Sequence, residues 1–61
     1  MDIKQAIQII NDKRAVYGMS LLDMAIVMKE MLDNGELDNK DAAAIRVFLR
    51  EGRMLFAPVG A

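Results

Sequence analysis

Ser20-Leu21-Leu22-Asp23-Met24-Ala25-Ile26-Val27-Met28-Lys29-Glu30-Met31-Leu32-Asp33-Asn34-Gly35 carries its own start and stop signals. The Ser20 hydroxyl can accept from an orphan amide of a first turn, and Asp23 puts a carboxylate at the positive end of the helix dipole. Asp33-Asn34-Gly35 reads as a helix stop and turn. These signals predict a helix over residues 20–33. At about 100° per residue, Leu21, Met24, Ala25, Met28, Met31 and Leu32 form its main apolar face, while Leu22, Ile26 and Val27 point well away from that stripe. A helix apolar nearly all round needs neighbours on more than one side, so this segment is expected to sit between other helices.

Upstream, Asp2 with Gln5 has the spacing of a reciprocal cap: the carboxylate accepts from a first-turn amide while the Gln side chain reaches back. A helix over residues 3–17 follows, with Ile3, Ala6, Ile7, Ile10 and Tyr17 on one face and Gly18 free to take the left-handed conformation that often ends a helix. Tyr17, on that face, is expected to pack. Downstream, Leu37 precedes the N-cap Asp38, with Asp41 at the capping-box position and Ala42 as a weak hydrophobic staple partner. The third helix is predicted over residues 39–51, with Ala42, Ile45, Phe48 and Leu49 facing the core and Gly52 ending it by the same left-handed device as Gly18. Helix cannot continue past Pro58 in the tail. Met54-Leu55-Phe56, however, is too apolar to stay in water and is expected to dock on the helices or on a second chain. No repeat, linker or competing strand pattern interrupts the chain beyond that short run. The prediction is an all-α, compact three-helix domain spanning residues 1–61, with a short apolar C-terminal tail.

A chain of 61 residues buries only roughly 60% of the surface its unfolded form exposes, so its core is thin. The usual supports for so small a domain are disulfides, a structural metal or association. Cysteine and histidine are both absent, which removes the first and the commonest form of the second. With 54% hydrophobic residues, one Tyr, two Phe and no Trp, the apolar content is aliphatic and exceeds what a small monomer easily hides. A homo-oligomer, most simply a dimer, or a protein partner is expected. The alternative is that the six methionines fill a loose core with their flexible thioethers.

The net charge of −1 provides no global field toward nucleic acid or an anionic membrane. Met1-Asp2-Ile3-Lys4 lacks the basic start of a signal peptide, and Met19 to Met28 is too short to span a bilayer and carries Asp23. A cytoplasmic location with no membrane partner is expected. Nucleophilic catalysis needs an activated Ser, Cys or Lys beside a base; here the lone serine caps a helix and no imidazole exists. Asp23, Glu30 and Asp33 share an exposed side of the second helix with no evident pocket to desolvate them. No catalytic residue, cofactor or small-molecule substrate is therefore expected. The acidic turn Asp33 to Asp41 does not fit a calcium loop: with Gly35 as the loop glycine, the first ligand would be Glu30 and the third position Leu32, which has no side-chain oxygen.

Arg46, Arg50 and Arg53, at i, i+4 and i+7, form a basic stripe beside the apolar face of the third helix. Guanidiniums in line can hold phosphates or carboxylates. They can equally pair with the acidic row Asp23, Glu30 and Asp33. Lys13-Arg14-Ala15-Val16-Tyr17-Gly18-Met19-Ser20-Leu21-Leu22-Asp23-Met24-Ala25 resembles the first-to-second-helix segment of Cro-like helix-turn-helix repressors, in which a Gly-Leu-Ser turn leads into a helix carrying Asp, Leu and Ala. The resemblance covers about a fifth of the chain. That family implies a short turn soon after Met28 and a recognition helix behind it, whereas Lys29-Glu30-Met31-Leu32 continues the helical pattern.

These readings point to a small non-enzymatic regulator or inhibitor that binds another protein through an apolar helical surface flanked by a basic stripe. Interfaces draw most of their energy from a few large side chains, which selects Ile26, Phe48, Leu55 and Phe56, with Arg46, Arg50 and Arg53 setting orientation. Two other classes are compatible: a dimeric DNA-binding regulator, with Lys40 joining the arginines on phosphates, and a self-assembling structural subunit. A chain this small, starting at Met and lacking catalytic parts, suits a bacterial or phage regulator.

Overall fold

The computed structural model describes residues 1–52, and three helices account for most of them: α1 Ile3–Tyr17, α2 Leu21–Asp33 and α3 Asn39–Glu51. Arg53, Leu55, Phe56 and the rest of the tail lie outside the described residues. Each helix begins on the side chain expected of it. Asp2 accepts from the Gln5 amide at 2.8 Å while the Gln5 side chain accepts from the Asp2 amide at 3.1 Å. Ser20 Oγ accepts from the Asp23 amide at 3.1 Å, and Asp38 from the Asp41 amide at 2.8 Å. Each such cap contributes roughly 1 kcal/mol.

The first two helices close on glycines with positive φ, Gly18 at 69° and Gly35 at 71°, where a β-carbon would be strained. Around Gly35 the Glu36 amide reaches back to the Met31 carbonyl at 2.8 Å and the Gly35 amide to Leu32 at 3.1 Å, the paired bonds of a Schellman close. Gly52 differs from the expectation: its φ is −63° and its ψ −24°, right-handed helical values. What selects glycine there is proximity, because a β-carbon on Gly52 would run into the Phe48 carbonyl.

Each helix packs on both others. The shared core takes Ala6 and Ile10 from α1, Met24, Ala25 and Met28 from α2, and Ala44, Ile45, Val47 and Phe48 from α3. Ile10, Met24, Met28 and Ile45 are the largest fully buried side chains, each contributing about 1.5–3 kcal/mol by transfer from water. Two of the methionines thus sit at the centre. No polar side-chain atom among the described residues is buried without a partner.

Tyr17 corrects the expectation for α1, since it is 51% exposed. Helical spacing places a residue around the axis but not along it. Tyr17 shares the direction of Ile10, yet lies seven residues and about 10 Å further along the helix. Asp41 is a second correction. Its carboxylate does not return to the cap but crosses to α1, taking the Lys13 ammonium at 2.8 Å.

Candidate functional site

The off-stripe apolar residues of α2 lead to the one apolar groove that stands out among the described residues. Leu22 and Ile26, one turn apart, are 51% and 61% exposed. Val27, the third off-stripe residue, packs against the core instead. Leu22 and Ile26 form one wall of a groove of about 400 Å³, with Ala25 and Phe48 beneath, Leu49 of α3 opposite, and Lys29 and Glu30 of α2 completing its lining. Phe48 serves two purposes there: only 6% exposed, it belongs to the core and also lines the groove. Along the helix axis, Leu22 to Glu30 covers about 12 Å, a length suited to two or three apolar side chains of a bound segment.

The expected site residues divide accordingly. Ile26 and Phe48 meet in the groove, while Leu22, Leu49 and Lys29 join them without having been selected from the sequence. The signal for Leu22 was present, since it and Ile26 stand at i and i+4 on the side of α2 turned away from its main stripe. Arg46 and Arg50 are exposed on α3. Arg46 precedes Leu49 by three residues and so stands about 60° around the helix from it, on the solvent side of the groove's α3 edge. Arg53, Leu55 and Phe56 lie outside the described residues.

Charges on the two helices do not zip together as the acidic row had suggested. Arg50 meets its own neighbour Glu51 at 3.2 Å, and Lys29 takes Asp33 at 2.9 Å. Among the described residues no α2 carboxylate lies in ion-pair contact with Arg46 or Arg50. Both pairs that do form are exposed and contribute little, about 0–1 kcal/mol. Arg46 makes no ion pair among the described residues, and Arg50 makes only the exposed one with Glu51.

A second, shallower depression of about 260 Å³ lies between α1 and the start of α3, lined by Ile9, Asp12, Lys13, Val16, Lys40 and Asp41. Its central ion pair, Lys13 with Asp41, is the tertiary one of the described set, with side chains 24% and 17% exposed. The hydrogen bond that Lys13 donates to the Asp41 carboxylate raises the pKa of the ammonium above its ordinary value of 10.5, against a smaller opposing effect of burial. Lys13 also stands 5.8 Å from the Tyr17 ring centre, a cation–π distance. These contacts tie α1 to α3. They leave Lys13 and Asp41, the central charges of the depression, committed to each other.

Among the described residues there is no grouping of three acidic side chains able to hold a metal ion, and no helix is long and apolar enough to cross a membrane. α2 runs without a break through Lys29-Glu30-Met31-Leu32 to Asp33, so the likeness to the repressor segment ends where the sequence pattern departs from it. No family model, curated protein or solved structure matches this chain.

Proposed function

We propose that this protein is a binding module, a regulator or inhibitor that takes an apolar segment of a partner protein into the groove between α2 and α3. The observation that carries the reading is the half-exposed pair Leu22 and Ile26 standing over Phe48 and Leu49. Two large aliphatic side chains left in water beside an aromatic floor forgo stabilisation that a monomer would otherwise gain by burying them, about 25 cal/mol per Å². Interface energy concentrates on such side chains. A partner helix would present residues at i and i+3 or i+4 to the groove and carboxylates to Arg46 and Arg50, which would set its orientation.

The test is affinity capture by the tagged protein, with and without nuclease, comparing wild type with Leu22→Asp/Ile26→Asp and with Arg46→Glu/Arg50→Glu. A specific protein that survives nuclease and is lost from the groove variant, while the variant keeps its helical circular dichroism, supports the reading. Nuclease-sensitive, arginine-dependent recovery of DNA overturns it in favour of a DNA-binding regulator. A dimer in sedimentation that the groove substitutions split, with no foreign protein captured, replaces it with self-assembly.

A further inference from the structure

The groove separates charges that the chain does not pair within itself. Asp23 and Glu30 stand about 80–100° around α2 from Leu22, whereas Ala25, beneath the groove, stands about 60° the opposite way. Both acids thus border the outer side of the α2 wall, are exposed, and make no ion pair among the described residues. Lys29, the one base on that wall, is bound to Asp33. The α3 edge carries the opposite sign, with Arg46 outside every ion pair of the described residues and Arg50 on Glu51 alone. Across its width the groove therefore runs from acid on α2 to base on α3.

What such a groove asks of an occupant, an apolar pair at i and i+4 flanked by carboxylates, is present on α2 itself as Leu22, Ile26, Asp23 and Glu30. We propose that the groove takes a second copy of this chain, in a dimer whose two-fold axis runs along the groove, so that α2 of each copy lies over α3 of the other. The inference rests on the groove being the docking surface. In this arrangement Leu22 and Ile26 of one copy meet Leu49 and the Phe48 floor of the other, and Asp23 and Glu30 face Arg46 and Arg50. A two-fold across the groove would instead set α2 on α2 and bring like charges together, so charge selects the first arrangement. With no Cys or His in the chain, association is also the support left to so small a core. Two helices of 13 residues, each about 20 Å long and about 10 Å across, offer a face of roughly 400 Å². That is at the small end of protein interfaces, so the dimer is weak and a foreign partner can displace it.

The experiment is sedimentation equilibrium of the full chain from about 10 μM to about 1 mM, the range of a weak complex. Wild type is expected to dimerise reversibly within it. Arg46→Glu/Arg50→Glu and Asp23→Lys/Glu30→Lys should each weaken self-association about tenfold or more, because each sets like charges face to face. An equimolar mixture of these two variants should dimerise as strongly as wild type, since every reversed surface then meets its opposite. Asp23 also lies in the first turn of α2, so circular dichroism checks that pair, and Glu30→Lys alone replaces it if the helices are lost, again with recovery on mixing. A wild type that stays monomeric throughout overturns the proposal and leaves the groove to a foreign partner. A dimer that the charge reversals leave intact, or a mixture that remains monomeric, overturns it as well. Capture of no foreign protein by a chain that dimerises and recovers in this way would end the partner reading and leave the dimer standing.

Discussion

Where α3 meets α1, Ala6 and Ile10 are fully withdrawn from water and Lys13 closes the edge by reaching Asp41 at 2.8 Å. Where α3 meets α2, Leu22 and Ile26 stay half exposed beside Phe48 and Leu49, and no ion pair among the described residues joins the two helices. Both seams draw on aliphatic side chains of similar size. One spends them on holding the fold and the other keeps them accessible, so a substitution should be felt in stability at the first and in association at the second.

The strongest way to break that contrast is to shorten one aliphatic side chain at each seam. Ile10→Ala removes a fully buried side chain and is expected to lower unfolding stability by about 2–5 kcal/mol. A domain this small, at about 0.05–0.15 kcal/mol per residue, is expected to lose most of its folded population, which urea titration followed by circular dichroism would record. A loss below about 1 kcal/mol would mean that the α1 seam is not the closed core described.

Next in size is the helix start that carries the chain from α2 into α3. Asp38→Ala deletes the acceptor for the Asp41 amide and should cost about 1 kcal/mol in the same titration. The Asp41 side chain cannot substitute for it while it remains on Lys13.

The edge of the α1 seam sharpens the comparison through pH. Lys13→Met is expected to cost about 0.5–1 kcal/mol at neutral pH, the upper part of the range for partly exposed pairs. Folding raises the Lys13 pKa from 10.5, chiefly through the Asp41 hydrogen bond. The folded state therefore holds this proton more tightly than the unfolded chain. The stabilisation is complete below the unfolded value and drains away as pH rises through the higher folded value. Urea midpoints of wild type and Lys13→Met should differ at neutral pH and converge above it, in the strongly alkaline range. A difference that persists there would show that the effect of Lys13 does not come from its charge.

The smallest stability effect belongs to the groove. Ile26→Ala, at a side chain 61% exposed, should change unfolding stability by no more than about 0.5 kcal/mol while weakening capture of a protein partner. A loss comparable to that of Ile10→Ala would show that Ile26 is covered in the folded protein and is not open to a partner.

The sequence by itself determined the three helices and their limits, because caps and stops are local: Asp2 with Gln5, Ser20 and Asp38 each act within one turn, and Gly18 and Gly35 supply the positive φ that ends α1 and α2. It also exposed the surplus on α2, since Leu22 and Ile26 fall off the main stripe by simple rotation about the helix. Tertiary structure decided what periodicity does not encode, which is depth along the axis and partners on other elements. Tyr17 has the direction of a core residue but lies beyond the packed column. Asp41 has the spacing of a capping-box residue but meets Lys13, 28 positions away in sequence. Gly52 is glycine because of the Phe48 carbonyl rather than a left-handed turn. Leu49 joins Ile26 and Leu22 in one groove only because α2 and α3 pack side by side, a juxtaposition that follows from filling a shared core and that no single helix pattern contains.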